Sequence, residues 1–208
     1  MSLRTRGIPT AMEDVFSHKE GVDYSRLLLT PEGFYSITRR RDGQKLIGFL
    51  RQMIPDIGKK TITDATACVG GDTMLFSLWF KKVESIEWKR DNLTVLRNNV
   101  DVFGATNVVI HEGDATRVFD WRTNVLYIDP PWGGPNYLAR NNIDLWVGSS
   151  RVDNWVEEVL KRNDRPEYIV LKLPRNYNFT RLTFQPNVDE THFYHIRNFV
   201  IVLLRASI

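Results

Sequence analysis

This 208-residue sequence predicts an α/β fold: a mostly parallel sheet of seven strands, helices on both faces, and a C-terminal antiparallel hairpin. Three observations predict it. From residue 61 onward, short apolar runs alternate with stretches whose apolar residues recur at helical spacing, the pattern of a parallel sheet covered by helices. The last two apolar runs, His192–Ile196 and Phe199–Leu204, are separated only by Arg197-Asn198. That gap is too short for a parallel crossover, so the pair is antiparallel. Finally, Val125-Leu126-Tyr127-Ile128 runs directly into Asp129-Pro130-Pro131. Consecutive prolines cannot donate to a central ladder, so a buried strand stops there and turns.

The elements follow in order. Residues 1–24 are polar and weakly patterned; Thr10–Lys19 is expected as a short helix with Met12, Val15 and Phe16 on one face. Leu29–Thr38 reads as a turn followed by an extended piece, and Gln44–Met53 as a helix with Leu46, Ile47, Leu50 and Met53 at its spacing. Strands are expected at Thr61–Ala65, Val83–Glu87, Val108–His111, Val125–Asp129 and Tyr168–Leu173, before the closing pair. Helices are expected at Gly71–Lys82, Asp91–Phe103 and Val152–Leu160. The domain reading is an N-terminal arm and helical extension over residues 1–60, covering the site, and a main domain over 61–208.

At 24.2 kDa with 42% hydrophobic and 25% charged residues, the composition is that of a globular chain. No apolar run approaches the roughly 20 residues of a membrane span, and the start lacks an apolar signal core. No membrane partner is expected, and an intracellular location, nuclear or cytoplasmic, is. The single cysteine, Cys68, excludes an intrachain disulfide and a cysteine-built zinc cage; no metal is expected. Net charge is only +3, but the basic residues cluster, as in Arg39-Arg40-Arg41, Lys59-Lys60, Lys81-Lys82, Lys89-Arg90 and Lys161-Arg162. Such clusters suit a polyanion and equally suit solvated helix ends.

Ligands of open α/β sheets bind beyond the carboxyl ends of the strands, and four strand ends here carry suitable residues. After the first comes Asp64-Ala65-Thr66-Ala67-Cys68-Val69-Gly70-Gly71-Asp72-Thr73, whose adjacent glycines permit close backbone approach. The second ends in Glu87-Trp88, an acid 23 residues after Asp64, near the ~20 expected of a ribose-binding acid; Trp88 can pack on an adenine. The third is followed by Gly113-Asp114-Ala115, in which Asp114 by itself reads as a helix cap. The Gly-x-Gly-x-x-Gly fingerprint of nicotinamide enzymes is absent. The fourth end is Asp129-Pro130-Pro131-Trp132-Gly133-Gly134-Pro135-Asn136-Tyr137, which sets one carboxylate, stiff carbonyls and an indole at the sheet edge.

That last stretch resembles the Asp/Asn/Ser-Pro-Pro-aromatic motif of methyltransferases acting on exocyclic amino groups of bases. Its extended form, Pro-Pro-Trp-Gly-Gly-Pro, is similar to that of the trimethylguanosine synthase family, which methylates N2 of the 7-methylguanosine cap of RNA. Leu173-Pro174-Arg175-Asn176 and Glu32-Gly33-Phe34-Tyr35-Ser36-Ile37-Thr38 resemble two further segments of that family. Together the matches span about residues 29–177. The family commonly carries Ser where Asp129 stands and Gly where Cys68 stands.

The resemblance implies a Rossmann-like class I fold with S-adenosylmethionine as cofactor and capped RNA as partner, acting as a monomer. It implies cofactor contacts from Asp64, Cys68, Gly70, Gly71, Thr73, Glu87, Trp88, Asp114 and Asp129. The chemistry falls to Asp129, Pro130 and Trp132. Asp129 and the Pro130 carbonyl accept the amino protons and aim the nitrogen lone pair; Trp132 stacks on the cationic base. Substrate contacts are implied for Trp132, Tyr137, Arg175, Asn176 and Phe34. A chain this short fits a protist or a large virus, the latter placing it in a host cell. Two alternatives stay open: a methyltransferase of guanine N2 or adenine N6 on uncapped RNA or DNA, and a non-catalytic cap- or RNA-binding module.

Overall fold

The computed structural model describes residues 12–119 and 122–207. Its elements are α1 (Pro31–Ser36), α2 (Arg40–Met53), β1 (Thr61–Asp64), α3 (Gly71–Ser77), β2 (Lys82–Glu87), α4 (Arg90–Phe103), β3 (Val108–Glu112), α5 (Ala115–Val118) and β4 (Val125–Ile128). Then follow β5 (Trp146–Val147), β6 (Ser150–Arg151), α6 (Val152–Leu160), β7 (Tyr168–Pro174), α7 (Thr180–Thr183), β8 (Val188–Ile196) and β9 (Phe199–Ala206). One seven-stranded sheet runs in the order β3-β2-β1-β4-β7-β9-β8; β5 and β6 form a separate hairpin. The first five strands pair in parallel. The closing strand β9 slots antiparallel between β7 and β8, completing the expected mostly parallel sheet.

Alternation along the strands divides the core in two. Leu126, Ile128, Ile169 and Leu171 face α6, where Trp155, Val156 and Val159 pack on them. Val125, Tyr127, Tyr168 and Val170 face the opposite side, against Leu46 and Leu50 of α2 and Leu75 and Phe76 of α3. Helices therefore cover both faces, and the strand order reverses between β1 and β4, the switch point at which a crevice opens.

The N-terminal segments depart from expectation. Within 12–19 only Met12–Asp14 makes a single 3-10 turn; the first residues of the expected helix lie outside the described ones. Its backbone groups are taken by Tyr24 instead: the hydroxyl donates to Ser17 O at 3.0 Å and accepts from Lys19 N at 2.8 Å. Val15 and Phe16 are buried against Met74 and Phe103. Lys19 Nζ bonds the carbonyls of Phe103 and Gly104, both at 2.8 Å, at the end of α4. The extended piece expected before Thr38 is in fact the helix α1. Thr30 caps it, accepting from Gly33 N at 3.0 Å, and Pro31 occupies its first turn. The helix expected at Gly71–Lys82 ends at Ser77, because Lys82 already pairs with Thr61 in the sheet.

Candidate active site

Three turns at the carboxyl edge of the sheet surround a cavity of about 760 Å³. The first leaves β1. Asp64 accepts from Thr73 Oγ1 at 2.7 Å and from Thr66 N at 3.3 Å. Burial raises its carboxyl to about 7, with the Asp72 charge adding and the Thr73 hydrogen bond opposing. The turn then needs left-handed backbone twice, at Cys68 (φ 49°) and Gly70 (φ 91°). A Cβ on Gly71 would lie 2.5 Å from Ile37 Cγ1, so only glycine lets the segment after α1 close on this turn. Asp72 Oδ2 accepts from Thr38 Oγ1 at 2.9 Å and Tyr127 Oη at 2.8 Å. Its Oδ1 is buried with no hydrogen-bond partner among the described residues.

At the end of β2, Glu87 Oε1 accepts from the backbone N–H of Trp88 (2.9 Å) and Lys89 (2.7 Å). Burial raises its carboxyl above the ordinary range, those N–H groups opposing. Trp88 is 62% exposed and lines the cavity beside it. Lys89 Nζ grips both oxygens of Glu32 at 2.7 and 2.8 Å, tying α1 across this end.

The third turn follows β4. Asp129 N donates to Thr66 Oγ1 at 2.7 Å, joining the first and third turns. Asp129 Oδ2 accepts from Lys172 Nζ at 2.6 Å. Burial pushes the Asp129 carboxyl up to about 6 against the lowering charge of Lys172. Burial disfavours the Lys172 ammonium, but Asp129, Asp72 and Asp64 outweigh it and hold it above the usual lysine range. The Trp132 ring meets Tyr137 edge-on at 5.0 Å and Phe199 at 6.3 Å. Lys172 Nζ lies 5.4 Å from the Trp132 centroid and 5.2 Å from that of Phe199.

Of the residues singled out from the sequence, Asp64, Cys68, Gly71, Glu87, Trp88, Asp129, Pro130, Trp132 and Tyr137 line this one cavity. Gly70 and Thr73 lie behind the wall, Thr73 bonding Asp64 from beneath. Asp114 caps α5, accepting from Thr116 N at 3.0 Å, beneath Gly148; Ala115 and Gly148 form the wall there. Phe34 is off the wall and its neighbour Tyr35 is on it, because the helical turn of α1 sends successive side chains in different directions. Arg175 is exposed away from the cavity. Asn176 instead braces the Trp132 loop, donating to the carbonyls of Tyr137 (2.9 Å) and Arg140 (2.6 Å).

Sequence reasoning passed over Lys172, Asp72 and Trp146. A lone lysine inside Ile169-Val170-Leu171-Lys172-Leu173 was a signal, since charge in a fully buried strand demands a partner. For Trp146 the signal was weaker, an aromatic in a loop.

The chain is similar to known proteins in sequence and in fold. The profile described as RNA cap guanine-N2 methyltransferase matches residues 59–198. An uncharacterized protein of Acanthamoeba polyphaga mimivirus is 28% identical over 151 residues, 71% of this chain and 59% of its own. Trimethylguanosine synthase of Saccharomyces cerevisiae is 22% identical over 171 residues, 78% of this chain and 53% of its own. That of Schizosaccharomyces pombe is 23% identical over 180 residues, covering 75% and 73%. The chain thus spans 53–59% of the first two of these relatives. In fold, it is similar to a precorrin-6y C5,15-methyltransferase of Geobacter metallireducens (TM-score 0.59, 16% identity, 90% of this chain and 97% of the other). It is likewise similar to a methyltransferase of Geobacter sulfurreducens (TM-score 0.59, 17% identity, 83% and 81%).

Proposed function

Because this chain belongs to the RNA cap guanine-N2 methyltransferase family, we propose that it transfers a methyl group from S-adenosylmethionine to the N2 amino group of a 7-methylguanosine RNA cap. One observation carries the reading. Asp129 and Trp132, from one turn, line the same cavity as Glu87 and Trp88.

The donor set fits the cofactor that the family and fold imply. Glu87 suits ribose hydroxyls and the exposed Trp88 face suits adenine. Asp72, with a buried oxygen lacking a partner, suits an ammonium group. Bound there, S-adenosylmethionine supplies an activated methyl group.

The chain's own residues then have to present a weak nucleophile. The amino nitrogen of guanine is delocalised into the ring, so alignment rather than deprotonation is required. Lys172 engages Oδ2 of Asp129 and leaves Oδ1 to accept one amino N–H, the other falling in this reading to the Pro130 carbonyl. Lys172 also supplies the positive charge that keeps a buried carboxylate ionised beside Asp64 and Asp72. An ionised Asp129 stabilises the positive charge that grows on the nitrogen and is at hand for its proton. Trp132 offers the base a π-face.

A second reading, transfer to the amino group of an uncharged base, is favoured by Lys172. Its ammonium already lies 5.4 Å from the Trp132 centroid, where it competes with a cationic base for the same ring. Methyl transfer to two dinucleotide caps that differ only at N7 of guanine separates the readings. Transfer confined to the 7-methylated cap is expected; equal transfer to both would replace the cap reading with the second, and transfer to neither would remove the cap reading and move the second to uncapped RNA and DNA substrates.

A further inference from the structure

We propose that the groove on the far side of the Trp132 turn seats the nucleotide joined to the target guanosine, its base stacked on Trp146 and its phosphate at Arg140. The proposal rests on the reading of the substrate as RNA.

A second cavity, of about 630 Å³, is lined by Pro131, Trp132, Gly133, Arg140–Asp144 and Trp146. Pro131, Trp132, Gly133 and Trp146 line both cavities, so the groove continues the main one around the turn that carries Asp129. A polymer whose one base is held against Trp132 must leave the main cavity, and this groove opens directly beside that ring.

The groove is built to stay open. Leu145 and Val147 are 2% and 4% exposed and anchor the strand in the core; the residue between them must point the other way, and Trp146 is 52% exposed. The opposite wall is pinned by Asn176 on the Tyr137 and Arg140 carbonyls and by the Arg181–Asp144 ion pair. Arg140 itself makes no ion pair among the described residues, and its Nη1 lies 3.3 Å from where a Cβ on Gly133 would stand. An exposed indole, a guanidinium without a carboxylate and the amides of Asn141 and Asn142 on one open groove are the chemistry of single-stranded nucleic acid binding: a stacking face for any base beside a cation for the backbone.

The test compares kcat/KM for 7-methylguanosine triphosphate with that for the same cap extended by one adenosine, using the full chain, W146A and W146F. The wild type is expected to prefer the dinucleotide, W146A to cut that preference about tenfold and W146F to restore most of it. A preference unchanged in W146A overturns the subsite. A second measurement needs no methyl donor: anisotropy of a fluorescein-labelled capped pentaribonucleotide. W146A and R140A are each expected to weaken binding by about tenfold; binding indifferent to both overturns the proposal. If the wild type methylates no cap yet its RNA affinity depends on Trp146 and Arg140, the subsite stands and the cap reading falls.

Discussion

Lys172 Nζ and Asp129 Oδ2 meet at 2.6 Å, one step beyond the last paired residues of two parallel strands, Ile128 and Leu171. The lysine is 3% exposed, so the pair sits in a medium where either charge alone is strongly disfavoured. Lys172 thereby acts on the reaction through Asp129. Substituting Lys172→Met should raise the Asp129 carboxyl further, since burial and the charges of its acidic neighbours would act unopposed. The active form is ionised, so the acid limb of the kcat/KM profile, set near pH 6 in the wild type, should move to higher pH, while Lys172→Arg should hold it. A profile unmoved in Lys172→Met would remove Lys172 from the mechanism.

The same pair predicts a non-additive stability cycle. Asp129→Ala leaves a buried ammonium without its partner and should lower stability by roughly 3–5 kcal/mol. Adding Lys172→Met should recover most of that loss in urea unfolding. Both variants should lose methyl transfer, and binding of S-adenosylmethionine by Asp129→Ala, measured by calorimetry, should persist; loss of binding would give Asp129 a different role.

Trp132→Ala should weaken 7-methylguanosine triphosphate binding by about 0.5–2 kcal/mol beyond the loss seen with the unmethylated nucleotide, the size of a cation–π contribution. Equal losses for the two nucleotides would show that the ring packs without sensing the charge.

Cys68 adopts left-handed backbone at φ 49° in the turn after β1. Cys68→Gly should relieve roughly 1–2 kcal/mol of strain, less about 0.4–1 kcal/mol for the added freedom of glycine in the unfolded chain. A small rise in stability with cofactor affinity retained is therefore expected; a marked loss of affinity would show that the thiol, held up near 12 by burial, contributes more than its small size.

Asp64 has a folded-state carboxyl raised from 3.8 to about 7. A raised acid favours the fold below its unfolded value, and that favour is lost as pH rises through the folded one. Asp64→Asn should therefore flatten the decline of Tm between pH 3.8 and about 7, a difference on the order of a few kcal/mol when integrated. Parallel Tm profiles would place the titrating proton elsewhere.

Much of this molecule is written locally. Strand and helix periods, the proline stop after Ile128 and the Arg197-Asn198 reversal are consequences of backbone chemistry within a few residues. They were enough to determine the sheet, its antiparallel close and the turns that converge at its edge. Short-range cues were weaker where a cap decides, as at Thr30, or where long-range packing overrides pattern, as at Val15 and Phe16. What only the tertiary structure decided is which side chains meet. Parallel register sets Lys172 against Asp129 across 43 residues of chain. A helix turn exchanges Tyr35 for Phe34 at the wall, and a short hairpin carries Trp146 to both cavities. Such contacts depend on strand order, register and side-chain direction, which are set by the balance of burial over the whole core and leave no trace in any single window of sequence.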